Sequence, residues 1–208
     1  MTLQKRIFDI LLSLLLAAVL ALPFALLLLA LWLIEGRPLF YVAERMKAPG
    51  QPFQLWKLRT MRVAVADRGV SGGDKSARIT PMGQFLRRTR LDEVPQLWNV
   101  LRGDMSFVGP RPPLRQYVER FPGLYARVLQ NRPGITGLAS LTFHAHEERL
   151  LRGCRSAEET DAVYVRRSVP RKARLDLIYQ KRRSLCLDMT IIGRTVGRIL
   201  VRQFSRRP

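Results

Sequence analysis

The sequence predicts an α+β protein in two parts. Residues 1–36 form an apolar membrane anchor. Residues 37–208 form a small, mainly helical cytosolic domain with one short β-hairpin and amphipathic helices at the membrane surface. Three observations predict this. Ile10 to Ile34 carry no charge and are mostly Leu and Ala. Two short runs, Phe40 to Arg45 and Phe53 to Leu58, flank a Pro49-Gly50 turn and read as paired strands. Further on, apolar residues recur at spacings of three and four between Pro and Gly punctuation, the pattern of short helices.

The anchor comes first. A helix over Ile10 to Ile34 reaches roughly 37 Å, against a hydrocarbon core of roughly 30 Å. The run is too long for a cleaved signal peptide, and no small-x-small site follows it. Hydropathy alone makes a spanning helix the default. Two features oppose that default. Pro23 sits in the middle, where it removes a backbone donor and bends the helix. Lys5 and Arg6 lie before the run, and Arg37, Arg45 and Lys47 after it. The positive-inside rule then assigns no orientation and is compatible with both ends in the cytoplasm.

The chain has 36 Lys+Arg against 16 Asp+Glu, a formal net charge of +20. That balance suits an anionic partner: nucleic acid, acidic lipid or a phosphorylated substrate. No helix-turn-helix, RNA-recognition or zinc-finger pattern is present, so no nucleic acid is expected. The two cysteines, Cys154 and Cys186, form no close-spaced motif, which points to a reducing compartment.

Within the domain, Lys57 and Arg59 fall at alternate positions and share one face of an extended segment. The plain reading is an exposed basic edge. Asp67 to Ser76 is rich in Gly and charge and reads as a mobile loop. Thr80-Pro81 reads as an N-cap followed by Pro at the first helical position, opening a helix to about Arg90.

That helix delivers Asp92 and Glu93 into a basic setting of Arg87, Arg88, Arg90, Arg102 and Arg111. Pro95 is tolerated in a first turn, Leu97, Trp98 and Leu101 follow at helical spacing, and Gly103 ends the helix. Asp92 is therefore the expected N-cap and Glu93 the first helical residue. A helix start and nearby arginines favour an ionised carboxylate. Such an Asp is a candidate nucleophile, and the neighbouring Glu a candidate ligand for a divalent metal. The plain alternative is a capping Asp beside a surface Glu.

Gly109-Pro110-Arg111-Pro112-Pro113 is stiff, so Arg111 is expected to be held, as bidentate phosphate binding requires. A rigid turn with an incidental Arg is the alternative. Leu114 to Leu129 reads as one helix with Tyr117, Phe121 and Tyr125 in the core, and the 133–137 segment as a turn-rich loop. His144-x-His146 offers two imidazoles and no thiolate pair, a poor zinc site. Arg194, Arg198 and Arg202 share a helical face beside Ile191, Ile192, Val196, Ile199, Leu200 and Phe204. That fits a helix lying on a membrane or an ordinary docked helix.

Three segments together carry a resemblance. They are Lys57-Leu58-Arg59-Thr60-Met61, the run LDEVPQLWNVLRGDMSFVGPRP from Leu91 to Pro112, and Arg132-Pro133-Gly134-Ile135-Thr136-Gly137. They resemble the bacterial sugar transferases, the monotopic polyprenyl-phosphate phosphoglycosyl transferases, over about Lys5 to Asp188. The resemblance implies a re-entrant helix-break-helix anchor on the cytoplasmic face of the bacterial inner membrane. It implies transfer of a phosphosugar from a UDP-sugar to polyprenyl phosphate, with Mg²⁺ as cofactor and anionic membrane lipid around the enzyme. A homodimer is left open. Asp92 is implied as nucleophile and Glu93 as metal ligand. Lys57, Arg59, Arg88, Arg90, Arg111 and Pro112 are implied in substrate binding. Asp176 and Asp188 match acidic positions of the family and are expected in substrate binding, although either is compatible with a structural role.

The chain departs from the family in two places. Leu22-Pro23 stands where Ser-Pro is common. Ser140 to His146 replaces a stretch that carries an Arg in many members, and His144 falls at the place of that Arg. An inserted helical stretch follows, from Glu147 to about Val165. His144 or a cation of the Arg166–Arg174 run is expected to replace the missing Arg.

Overall fold

The computed structural model describes residues 2–63, 70 and 72–204. The long apolar helix α1 spans Leu3–Glu35. Thr2 caps its start, accepting from the Lys5 amide, and Gly36 at φ 67° ends it. Helical backbone continues through Pro23, so the anchor contains no non-helical break at that residue. Pro23 deletes a single donor, and the flanking turns keep theirs. Both halves of α1 touch the rest of the chain. Leu12 and Leu16 pack with Val100, Phe107 and Tyr179, whereas Phe24, Leu27, Leu28 and Leu31 pack with Leu58 and Leu86. Leu11, Leu15, Val19, Leu22, Leu26 and Leu33 remain exposed, an apolar surface of a kind soluble monomers rarely leave uncovered.

The hairpin pairs β1 (Phe40–Ala48) with β2 (Gln51–Leu58), antiparallel, with Gly50 at φ 71° in the turn. Its outer edge is held from the side by a helix residue. Asn99 Nδ2 donates to the Gln54 carbonyl at 2.7 Å, and Asn99 Oδ1 accepts from the Trp56 amide at 3.1 Å. A buried amide side chain thus replaces a neighbouring strand.

The central segment is α2 (Pro81–Thr89), a 3₁₀ turn over Leu91–Glu93, and α3 (Gln96–Arg102). As read, Thr80 caps α2 and Gly103 ends α3. The cap of α3 is Pro95, not Asp92. After α3 comes β3 (Ser106–Val108), which pairs in parallel with β4 (Gly134–Thr136). The expected loop at 133–137 is therefore a strand. The two motifs cross on glycines: a Cβ at Gly109 would lie 2.2 Å from the Arg132 carbonyl oxygen, and one at Gly137 would lie 2.1 Å from that of Gly109. This crossing fixes the backbone that carries Arg111.

The expected single helix over Leu114 to Leu129 is two helices, α4 (Arg115–Arg120) and α5 (Pro122–Val128). Pro122 disfavours helical backbone at Phe121 and so separates them. Tyr117 and Tyr125 are buried as expected. α6 (Leu138–Arg152) runs through His144 and His146 into the inserted stretch. α7 (Ala157–Val163) joins α8 (Val169–Arg182) through a π-helical turn at Tyr164–Ser168. Residues 67–69 and 71 of the expected loop lie outside the described residues, and its end is a 3₁₀ helix, Gly73–Arg78.

α9 (Leu185–Phe204) closes the chain. It docks through buried Ile191 and through Thr195, whose hydroxyl is 2.8 Å from that of Thr136. Met189, Val196, Leu200 and Val201 stay exposed. Arg198 donates to the Leu141 carbonyl, so this part of the expected basic face serves docking. The side chains of Arg202 and Phe204 lie outside the described residues.

Candidate active site

Asp92 and Glu93 lie in the 3₁₀ turn between α2 and α3, and each is 7% exposed. The turn is set by Arg90, a non-glycine residue at φ 61°. Left-handed backbone at such a residue costs about 1–2 kcal/mol. Its side chain offsets part of that cost, since Arg90 Nη1 donates to Glu93 Oε1 at 3.1 Å. Arg111 Nη2 donates to the same oxygen at 3.2 Å. Glu93 is thus clamped between two guanidinium groups from different elements. Asp92 Oδ1, by contrast, is buried and has no hydrogen-bond partner. A bare buried carboxylate oxygen is costly to maintain unless a ligand or metal uses it.

Electrostatics separate the two acids. Burial raises the Glu93 pKa, but Arg111, Arg90 and Lys57 outweigh it and hold the group down at about 2. Burial and the Glu93 charge raise the Asp92 pKa above 3.8, against the pull of Lys57, Arg90 and Arg111. One acid is a fixed anion. The other is a poorly solvated, more basic carboxylate, which is the better nucleophile once ionised.

Lys57, at the end of β2, faces this pair. Burial and Arg111, aided by Arg45, lower its pKa to about 8, although Glu93 and Asp92 pull upward. Arg59 is directed elsewhere: its Nη2 donates to the carbonyls of Glu35 at 2.9 Å and Gly36 at 3.2 Å, where it caps α1. Arg88 is exposed on α2, and Pro112 is buried beside Arg111. Asp188 is 1% exposed and is bonded to Lys5 and Tyr179. It ties α9 to α1, because both of its oxygens are engaged with protein donors.

Asp176 is buried on α8, and burial raises its pKa to about 7 despite Lys172. His144 is half-buried on α6. Of the Arg166–Arg174 run, Arg166, Arg167, Arg171 and Arg174 are exposed, and Lys172 turns inward. Lys172 pairs with Glu147 at 3.0 Å. Neither member of that pair is legible singly. A Lys among four basic neighbours and a Glu beside another Glu give no periodic signal.

A divalent cation fits the carboxylate pair. The available donors are hard oxygens, one of them the unpartnered Asp92 Oδ1, which suits Mg²⁺. Among the described residues no group of three or more His, Cys, Asp or Glu side chains could hold a metal. Mg²⁺ does not need one, since it binds through one or two carboxylates together with substrate phosphates.

The profile described as "Bacterial sugar transferase" matches residues 1–202. A UDP-glucose:undecaprenyl-phosphate glucose-1-phosphate transferase of Caulobacter vibrioides is 38% identical over 95% of this chain and 70% of its own length. A putative undecaprenyl-phosphate N-acetylgalactosaminyl 1-phosphate transferase of Bacillus subtilis is 42% identical over 60% of this chain and 72% of its own. An uncharacterized sugar transferase of the same organism is 33% identical over 95% of this chain and 87% of its own.

Proposed function

Because this chain belongs to the bacterial sugar transferase family, we propose that it moves a phosphosugar from a UDP-sugar to polyprenyl phosphate, releasing UMP. The two relatives with named reactions both act on undecaprenyl phosphate and differ in the sugar. The observation that carries the reading is the buried pair: Asp92 with a bare oxygen, beside Glu93 clamped by Arg90 and Arg111.

In the proposed reaction, Asp92 Oδ1 attacks the β-phosphorus of the donor. The bond from that phosphorus to the bridging oxygen breaks, and UMP leaves with the electron pair. Polyprenyl phosphate then attacks the phosphorus held on Asp92 and restores the carboxylate. Splitting the transfer lets UMP depart before a second anion enters. Arg111 and Lys57 offset the negative charge of the diphosphate. Mg²⁺ held by Glu93 would neutralise the diphosphate further.

The assay is UMP release by the full chain in lipid nanodiscs with undecaprenyl phosphate and a panel of UDP-sugars. No release from any donor sinks the reading. Its pH profile carries a second expectation. Lys57 is a cation in the free enzyme only below about pH 8. As pH rises through that value, kcat/KM should fall, since the cation that binds phosphate is lost. Lys57→Arg keeps the charge and should move the alkaline limb up by at least about one unit. An unmoved limb would assign it to another group.

The anchor is proposed to enter and leave by the cytoplasmic face. Support comes from the attachments of α1. Near its start, Arg6 donates to the Val100 and Leu101 carbonyls at 2.6 and 2.7 Å. At its other end, Arg59 holds Glu35 and Gly36. A spanning helix cannot tie both ends to one domain on one side of a bilayer. Leu3→Cys and Phe40→Cys, each with Cys154 and Cys186 replaced by Ser, should both label from the cytoplasm only. Periplasmic labelling at position 3 would make α1 a span.

A further inference from the structure

The site extends beyond the carboxylate pair, and the role of its outer part rests on the phosphosugar-transfer reading. α6 and α8 are bridged by an ion pair with little exposure, 15% for the Lys172 side chain and 14% for Glu147. Lys172 Nζ donates to Glu147 Oε1 at 3.0 Å, to Oε2 at 3.3 Å and to the Tyr164 hydroxyl at 3.3 Å. Tyr164 and Ala173, the neighbour of Lys172, share one core with Met46 and Tyr117. The Met46 amide donates to the Pro113 carbonyl at 3.1 Å, so that core also holds the Arg111-Pro112-Pro113 turn. The charges of Glu147 and Lys172 both act on Arg111, whose guanidinium touches Glu93.

A lone lysine here would be a phosphate ligand. Lys172 is not alone, since Glu147 neutralises it, and a neutral pair adds little attraction for a diphosphate. What the pair offers is hydrogen bonding. The ammonium hydrogens are spent on Glu147 and Tyr164. Each Glu147 oxygen accepts one bond from Lys172 and keeps a lone pair. A fixed carboxylate with spare acceptor capacity suits a neutral O–H donor. α6 also carries the stretch from Ser140 to His146 where this chain departs from the family pattern. A feature particular to this chain's own substrate belongs in such a place.

We propose that Glu147, held in place by Lys172 and Tyr164, accepts a hydrogen bond from a hydroxyl of the donor's sugar and so determines which UDP-sugar is used. Lys172 is a positioning residue. A buried acceptor left without its hydroxyl disfavours the wrong sugar by about 10- to 100-fold.

The test measures UMP release by the full chain with UDP-glucose, UDP-galactose, UDP-N-acetylglucosamine and UDP-N-acetylgalactosamine. Glu147→Ala should raise KM for the preferred donor about 10- to 100-fold and flatten the preference between donors. Inhibition by UMP should not weaken, since UMP has no transferred sugar. The exchanged pair, E147K with K172E, should restore the melting temperature lost by Glu147→Ala without restoring the preference. Three results overturn the role: an unchanged preference in Glu147→Ala, an equal loss for every donor together with weaker UMP inhibition, or an exchanged pair that regains the wild-type preference. The last would make the pair a staple between α6 and α8. No UMP release by the wild-type chain overturns the reaction itself. Wild-type turnover with unchanged preference in the variant overturns this role alone.

Discussion

Asp92→Asn should abolish turnover, by about 10⁴-fold or more, and should leave no phosphosugar on the protein. The amide keeps nearly the same shape but is a poor nucleophile. Wild-type chain incubated with UDP-sugar and Mg²⁺, without lipid acceptor, should gain the mass of one phosphosugar. Peptide mapping should place it on Asp92. Loss of activity will not reflect loss of fold. The folded-state pKa of Asp92 is raised above its ordinary 3.8 by burial and by Glu93. Such a group stabilises the fold when protonated, and that contribution is lost as pH rises through its folded pKa. At pH 7 an uncharged Asn should therefore melt no lower than wild type. Glu93→Gln is the contrasting variant. It removes the anion between Arg90 and Arg111, so turnover should slow and its Mg²⁺ dependence weaken, yet the adduct should still form on Asp92. An adduct mapped to Glu93, or intersecting-line kinetics with no adduct at all, would overturn the assignment.

Asp188→Ala should have the largest effect on stability. Asp188 is 1% exposed and accepts from Lys5 Nζ and the Tyr179 hydroxyl, both at 2.5 Å. Tyr179 Oη also lies 3.3 Å from the Val108 carbonyl oxygen, next to the Gly109 crossing. Removing the carboxylate leaves a lysine ammonium and a phenol buried without their acceptor. Breaking such a pair costs about 3–5 kcal/mol. At roughly 2–4 °C per kcal/mol for a chain of this size, the melting temperature should fall by about 10 °C. Glu119→Ala is the control. Its ion pair with Arg115 is exposed, 3.6 Å long, and should be worth under about 1 kcal/mol. Measured well below its melting temperature, Asp188→Ala should keep the wild-type KM for UDP-sugar. A raised KM with an unchanged melting temperature would return Asp188 to the substrate site, where the family pattern places it.

The parts legible from sequence are those whose physics is local. Thr80-Pro81 as a helix start, Gly50 in a hairpin turn and Gly103 at a helix end need only their neighbours. So does the stiffness around Arg111. Expectation and structure part where a distant segment intervenes. The 133–137 segment has no strand alternation, and it is a strand because β3 lies beside it. Asp92 reads as an N-cap, but Arg90 enters the left-handed region and starts a 3₁₀ turn early. That conformation is stabilised by Glu93 and by the packing of α2 on Thr60, not by any preference of arginine. The division of Leu114 to Leu129 is readable at Phe121-Pro122, since proline restricts the residue before it.

Residue type alone is enough to give this chain an apolar anchor, a basic domain and the adjacent carboxylates of Asp92 and Glu93. Those features survive in any fold, because each belongs to the side chains themselves. Which charged groups serve the site is a matter of packing. Arg59 turns to the end of α1, Asp188 to Lys5, and Lys172 inward to Glu147, while Lys57 faces the carboxylates. Charge is a property of the side chain, but its partner depends on which elements pack together, and here those partners lie up to 183 residues apart.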